Sequence, residues 1–462
     1  MQNFWDFSVW GWIILLATLL GSLLAGNVLK KSIPFLRNSL IPTSVLGGLI
    51  ILIVAAIYKA ITGDVMFDSA VFNFNGTDNL EIITYHALAL GFIASSFKTT
   101  GGKLNKQRSI EIFNTGVSTV ATYLIQGILG LGIALIAAMS LADFLPAAGI
   151  LLPFGYGQGT GQALNYGMIY EDAGFVGGKS FGLTIAALGF LSASIGGVIH
   201  LNVMRKRGKL KLSNRKDGST HTEEIDPPTE IPMQESMDKM TVQIALIVVA
   251  YILAYLLMFA LGSLLTGMRA VIYGFNFLLG VLSATLIKVS MNFLRKKGVI
   301  KKKYTNNFLM TRASNFFFDL MVVAGVAAIR LDILENFWGL ILILGFTGAI
   351  VTYIYTRILA KTLFKDYSEE QFLMMYGMLT GTASTGIILL REIDGEFRTP
   401  ASDNMVYQNF PAIVLGFPMM FLATLAISKP VLTLIIFVLF FAVLNLILFR
   451  GFIFKKKKAK NN

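Results

Sequence analysis

Residues 145–170 read LPAAGILLPFGYGQGTGQALNYGMIY, twenty-six residues without a charge. They are apolar and long enough to cross a bilayer, which takes ~20 residues. Yet Gly149, Gly155, Gly157, Gly159, Gly161 and Gly167 make a poor continuous helix. The flanking charges decide how the stretch lies. Asp143 precedes it and Glu171-Asp172 follow, whereas the next long apolar run, 181–204, ends at Arg205-Lys206-Arg207. Basic loops stay cytoplasmic, so 181–204 travels inward and 145–170 must begin and end outside. It therefore crosses an even number of times, and a re-entrant hairpin suits its glycines better than two full helices. Non-helical backbone at membrane depth is tolerated only where protein or a water-filled cavity surrounds it.

The rest of the chain has the same character. Of 462 residues 55% are hydrophobic and 14% charged, against ~25% charged in an average soluble domain, and mean hydropathy is +0.68. This is the composition of a polytopic membrane protein. Apolar runs lie near 8–27, 41–57, 82–97 and 112–142, and the loops between them alternate in charge. Lys30, Lys31 and Arg37 follow the first run, and Lys98, Lys103, Lys106 and Arg108 the third; Asp64, Asp68, Asp78 and Glu81 follow the second. The N-terminus is then outside. It has no basic n-region or small-residue cleavage site, so the first run is expected to remain as a span.

Residues 208–240 are polar, contain Pro227-Pro228, and read as a flexible cytoplasmic linker. Further runs lie near 242–265, 270–293, 308–329, 337–359, 405–427 and 431–454, with a basic cluster at Arg295-Lys296-Lys297 and Lys301-Lys302-Lys303. A second odd segment, 372–390, must be re-entrant from the cytoplasm for the tail at Lys455-Lys456-Lys457-Lys458 to end inside. The loop 391–404 is then cytoplasmic although it carries four acids and two bases; acids contribute little to orientation. The expected architecture is an all-α polytopic membrane protein. It comprises two inverted-topology repeats of five spans plus a re-entrant hairpin each (1–207 and 241–427), the linker 208–240, and an additional span with a basic tail (428–462). Eleven crossings result. Inverted repeats are the architecture of many secondary transporters.

The repeat is visible in the residues. Tyr156-Gly157-Gln158-Gly159-Thr160-Gly161-Gln162-Ala163 and Tyr376-Gly377-Met378-Leu379-Thr380-Gly381-Thr382-Ala383 share Y-G-x-x-T-G-x-A, 220 residues apart and at the two places that charge parity marks as odd. Leu188-Gly189-Phe190 pairs with Leu415-Gly416-Phe417, and Leu46-Gly47-Gly48-Leu49 with Leu279-Gly280-Val281-Leu282. Glycine permits a sharp turn and a close approach of backbone to a ligand. A half-helix starting at such a turn offers free N–H groups to a carboxylate. Unwound carbonyls and the hydroxyls of Thr160, Thr380, Thr382, Ser384 and Thr385 suit a small cation such as sodium. Small residues also serve close helix packing, but here the clusters are paired and mirrored. A dinucleotide loop would need a βαβ unit. A potassium filter uses four Gly-Tyr-Gly copies around a pore, and this chain has one such triplet, so an ion channel stands as the alternative reading.

The net charge of +13 and pI of 9.6 sit in short inter-span clusters and in the tail, with no basic stripe for nucleic acid. There is no cysteine, and His86, His200 and His221 are too scattered for a histidine metal cluster. H-E-x-x-H, G-x-S-x-G and paired intramembrane aspartates are absent, so no enzyme is expected. Asp319 is the one deeply placed charge, where a carboxylate costs ~2.5–3.5 kcal/mol. It is read as a counter-ion for sodium, a proton or a substrate ammonium, with pairing to Arg312 as the alternative. His86 lies near the outer end of its span. Lys288, Arg312, Arg330 and Arg357 are near span ends and can snorkel.

Ile41-Pro42-Thr43-Ser44-Val45-Leu46-Gly47-Gly48-Leu49 after a basic loop, then Gly157-Gln158-Gly159-Thr160-Gly161, then Thr380-Gly381-Thr382-Ala383-Ser384-Thr385, resemble in this order the bacterial sodium/glutamate symporters. The resemblance spans about residues 10–427. The family's first loop typically reads Gly-His-Gly-Thr-Gly, with Gln158 here in place of the His, and its second Gly-Ala-Thr-Pro-Thr-Ala, where this chain has Gly381-Thr382-Ala383-Ser384-Thr385-Gly386. The resemblance implies sodium-coupled uptake of glutamate or a related amino or carboxylic acid across the bacterial inner membrane. It also implies a homodimer in which one part of each subunit moves against a scaffold. The expected substrate and ion site comprises Gly157, Gln158, Gly159, Thr160, Gly161, Gly377, Thr380, Gly381, Thr382, Ser384, Thr385 and Asp319. Thr160, Thr380 and Asp319 are the sodium candidates, and no cofactor is expected beyond the coupling ion.

Overall fold

A computed structural model describes residues 3–38, 41–98, 106–141, 144–208, 230–233, 237–266, 269–274, 276–394 and 398–451. Most of the linker, Lys103, Asp143, His221 and the lysine tail lie outside the described residues.

The helices before the linker are α1 (Phe7–Ser32), α2 (Pro34–Asn38), α3 (Thr43–Thr62), α4 (Gly76–Phe97), α5 (Lys106–Ala137), α6 (Leu151–Asp172) and α7 (Gly178–Lys206). After it come α8 (Lys239–Leu264), α9 (Arg269–Gly274), α10 (Asn276–Lys296), α11 (Asn307–Ala327) and α12 (Trp338–Leu363). The chain continues with α13 (Ser368–Thr380), α14 (Ala383–Arg391), α15 (Ala401–Tyr407), α16 (Asn409–Ser428) and α17 (Pro430–Leu448). Among the described residues there is no strand, only an isolated parallel bridge between Glu230 and Lys303. Among the described residues eleven helices are long and apolar enough to cross a membrane: α1, α3, α4, α5, α7, α8, α10, α11, α12, α16 and α17.

Local chemistry fixes several boundaries. Asp238 caps α8 by accepting from the N–H groups of Met240 and Thr241, and Asn306 caps α11 through the N–H of Leu309. Gly63 ends α3 in the left-handed region at φ 80°, and Pro430 opens α17 where its missing N–H costs nothing. Basic residues close α1, α7 and α10, which suits the negative end of the helix dipole. The apolar run at 270–293 is divided between α9 and α10. The run at 82–97 begins earlier, at Gly76, because Asp78 and Glu81 occupy the favourable first turns of α4.

The helices pack as two bodies. The first contains α5, α6, α7 and α12 to α17; the second contains α1, α3, α4, α8, α10 and α11. They meet where α6 and α7 lie against α4, α9 and α11. Part of the second body's core is Ile93, Ala94, Phe97, Ile247, Ala250, Ala284, Met310 and Ala313.

Neither α6 nor α13–α14 is a straight span. Phe154 and Tyr166, both in α6, stack with ring centroids 3.9 Å apart and planes 10° from parallel. Twelve residues along an unbroken helix would separate them by ~18 Å, so α6 folds back on itself. The turn is at Gly159, with φ 79° and ψ −170°. Helices α13 and α14 form a second fold-back: a Cβ on Gly377 would lie 2.8 Å from the Gly386 Cα. Their turn is spread over Gly381 (φ −143°, ψ −108°) and Thr382 (φ −136°, ψ 170°).

Candidate functional site

The two turns meet. A Cβ on Gly159 would lie 3.5 Å from the Thr382 methyl, 3.8 Å from the Gly381 carbonyl oxygen and 3.9 Å from the Met321 methyl. Helix α11 passes the same point. Phe318, Asp319 and Val322 of α11, Pro42, Ser44 and Val45 at the start of α3, Phe190 of α7, and Thr382 line one narrow cleft. Asp319 is exposed in this cleft, and Ser44 lines the same cleft. Behind Thr382, the Thr385 hydroxyl is fully buried with its oxygen 3.4 Å from that of Thr382.

This arrangement has two chemical faces. The Asp319 carboxylate, the hydroxyls of Ser44 and Thr382 and the nearby Gly381 carbonyl supply hard oxygens, the donor set that small cations prefer. The start of α14 supplies the opposite: Thr382 occupies the N-cap position but its side chain makes no cap hydrogen bond. The first-turn N–H groups of α14 are therefore not consumed by a side-chain cap and can receive an anionic group.

The other expected residues hold the turns in place. The Thr380 hydroxyl donates to the Tyr376 carbonyl one turn back at 2.6 Å and is fully buried. Thr160 is equally buried, and its hydroxyl donates a long 3.4 Å bond to the Met321 carbonyl. It is seated against Gly325, where a Cβ would come within 2.7 Å of the Thr160 Cβ. Gly157 makes room for the Tyr123 ring, Gly161 for Leu88, and Gly377 for Gly386. Gln158 is half-buried, and the Ser384 side chain lies outside the described residues. Of the expected residues the cleft is thus lined by Thr382 and Asp319, with Gly159 and Gly381 beside Thr382 and Thr385 behind it, while Thr160 and Thr380 lie in the arms.

The hairpins are tied to neighbouring helices by bonds that sequence reading missed. Gln126 of α5 donates to the Leu379 carbonyl (3.0 Å) and to the Thr352 hydroxyl (2.7 Å), while Tyr123 donates to the Gly157 carbonyl (3.1 Å). Both motif tyrosines converge on Ser192. Tyr156 donates to the Gly345 carbonyl (2.6 Å) with its oxygen 3.0 Å from the Ser192 hydroxyl, and Tyr376 donates to the Ser192 carbonyl (2.9 Å). Ser44 was also missed, although it stands in a Pro-Thr-Ser stretch opening a span. Gln126, deep in the apolar part of α5, was the other available signal.

The remaining charged candidates resolve into structural roles. Arg312 lies over the Phe308 ring, 4.9 Å from its centroid, two turns from Asp319. Arg357 grips Glu369 in a two-pronged ion pair, and His200 meets the same carboxylate at 3.2 Å and the Tyr353 hydroxyl at 2.8 Å. Burial alone would raise the Glu369 carboxyl. The hydrogen bonds from His200 and Arg357 and the Arg357 charge outweigh it and hold the pKa at about 2. His86 bonds the Tyr251 hydroxyl at 2.6 Å, and the Lys288 ammonium caps the carbonyls of Ser96 and Lys98.

The family model described as sodium/glutamate symporter matches residues 12–398. No curated protein matches the chain.

Proposed function

The chain belongs to the sodium/glutamate symporter family, a multi-pass, sodium-coupled membrane transporter, and from this premise we propose uptake of glutamate or a related amino or carboxylic acid by alternating access. The observation that carries the reading is the meeting of two helix turns beside an exposed intramembrane carboxylate. Asp319, Thr382 and Ser44 hold the sodium ion. The start of α14 and the backbone at Gly159 and Gly381 receive the substrate carboxylate, with Thr385 supporting Thr382. Symporter membership leaves the channel reading without support.

The helix order supports an inverted repeat. The series α1, α3, α4, α5, α6 and α7 corresponds to α8, α10, α11, α12, α13–α14 and α16, with α17 as the additional span. The hairpins are then re-entrant, the first from outside and the second from the cytoplasm. The hairpin-bearing body moves, and the second body is the scaffold through which two subunits pair in the bilayer of the bacterial inner membrane. The apolar outer faces of the helices, including the exposed Leu24, Val249 and Leu439, face lipid. The N-terminus is outside, and the linker and tail are cytoplasmic.

Uptake into proteoliposomes, with a panel of labelled amino and organic acids and with or without a sodium gradient, tests the function. Accumulation that requires sodium is expected. Substrate-independent current without accumulation would overturn the reading. Because the chain has no cysteine, single cysteines in 208–240 and 455–460 test the topology, and labelling of either from outside contradicts it.

A further inference from the structure

The two bodies touch differently at their two ends. At one end the turn between α6 and α7 docks on the second body. The Lys179 ammonium is 2.8 Å from Glu81 of α4 and 3.4 Å from Glu171 at the end of α6. The Arg330 backbone N–H, just beyond α11, donates to the Ser180 hydroxyl at 3.1 Å. Gly177, at φ 87°, approaches so closely that a Cβ there would lie 2.6 Å from the Ile333 side chain. The side chains of Glu81 and Lys179 are only 15% and 25% exposed, so their attraction is less screened than that of a surface pair.

At the other end lies the cleft. Helix α3 measures the distance: near one terminus Lys59 pairs at 2.7 Å with Asp332, beside Arg330, and near the other Ser44 lines the cleft. The fifteen residue steps from Ser44 to Lys59 rise ~22 Å along a helix. The bodies are thus joined by an ion pair where Lys179 sits and parted by the narrow cleft where Ser44 sits.

We propose that Lys179 and Glu81 form the latch that closes the outer face of the transporter, with Glu171 as the retaining partner. This rests on the alternating-access reading. When the hairpin body moves to open the outer face, Lys179 leaves Glu81 but keeps Glu171, which travels on the same body and already accepts the Lys179 backbone N–H at 3.1 Å. The ammonium is never stripped of a carboxylate, and Glu81 passes into water. An exchangeable partner lets a half-buried charge move between states without the large penalty of an unpaired ion.

The test uses the cysteine-free full chain in proteoliposomes. In the double variant Glu81→Cys/Lys179→Cys, a short bis-methanethiosulfonate linker should reduce uptake at least tenfold, and dithiothreitol should restore it. Normal uptake by the linked protein would overturn the latch. Independently, Glu81→Gln and Lys179→Gln should each lower the external substrate concentration for half-maximal uptake severalfold, by raising the outward-open population. The two effects should not add, and Glu81→Lys with Lys179→Glu should return the value toward wild type. Unchanged half-saturation in both well-expressed single variants also overturns it. No uptake by the wild-type protein, with any acid of the panel, would instead sink the transport reading and the latch with it.

Discussion

The first hairpin turns on one residue, the second on two, although both carry Y-G-x-x-T-G-x-A. Gly159 turns α6 at φ 79° and ψ −170°, a region that is essentially closed to residues with a Cβ. Around it the arms are almost wholly buried. The α13–α14 turn uses negative φ at both Gly381 and Thr382 and leaves Thr382 half-buried in the cleft. With the 220-residue offset, Gly159 aligns with Leu379, so the second turn falls two to three residues later in the motif. The shared residues make both chains fold back; the residues at the turn decide what is presented. Hairpin one presents backbone, and hairpin two presents a hydroxyl and a helix start.

The largest expected effect tests this directly. Gly159→Ala must enter a forbidden conformation, at about 1–3 kcal/mol, although its Cβ would meet the opposite tip only at ordinary van der Waals distance. Sodium-driven uptake should fall to background at normal membrane insertion. Gly381→Ala meets the Thr385 hydroxyl at 3.0 Å and the Gly377 carbonyl at 3.1 Å, but its φ is one that alanine adopts. It should retain measurable uptake. Equal loss in the two variants would mean that the turns are equivalent.

Next in size is Asp319→Asn, which removes the only charge among the described residues lining the cleft and keeps the shape. The sodium concentration for half-maximal uptake should rise about tenfold or more, the scale of a lost charged contact of ~1.5–3 kcal/mol. Loss of pH dependence with sodium dependence intact would make Asp319 a proton carrier instead. Unchanged sodium and pH profiles would leave it lining a wet cavity with no part in coupling.

A smaller effect separates the motif threonine from its neighbour. Thr382→Val removes the hydroxyl of a residue that lines the cleft and should weaken apparent sodium or substrate affinity severalfold. Thr380→Val removes a hydroxyl already bonded to Tyr376 and should change either affinity by less than about twofold, its loss being a local hydrogen bond. The reverse order would move the binding surface from the turn into the arm.

The eleven spans and the two odd segments were legible because charge and hydropathy act locally along the chain. Asp319 was legible for the same reason: a carboxylate twelve residues into an apolar run stands out. Its companion Ser44 was not, since a serine near a span end is ordinary until α3 and α11 are packed together. The hydrogen bonds of Thr160 and Thr380 were not legible. The sequence supplies their hydroxyls but not the carbonyls of Met321 and Tyr376 that occupy them. The Lys179–Glu81 pair is ninety-eight residues apart in the chain, and both members look like loop charges flanking spans. The shift of the second turn relative to the repeat was hidden because the shared glycine lies in an arm of the first hairpin, as Gly161, but in the turn of the second, as Gly381.

The smallest effect concerns how each hairpin is anchored at its base. The first hairpin's Glu171 meets Lys179, and the second hairpin's Glu369 meets Arg357 and His200. Glu369 titrates near 2 in the folded protein against an ordinary 4.5. A depressed carboxylate contributes stability above its unfolded value, and that contribution is lost only as pH falls from about 4.5 through about 2. The difference in melting temperature between wild type and Glu369→Gln in detergent should therefore be a few degrees, about 2–4 °C, and should stay flat from pH 8 to pH 5. It should narrow only in stronger acid. A difference that instead narrows well above pH 5 would mean that the Arg357 fork is not what holds the base of the second hairpin.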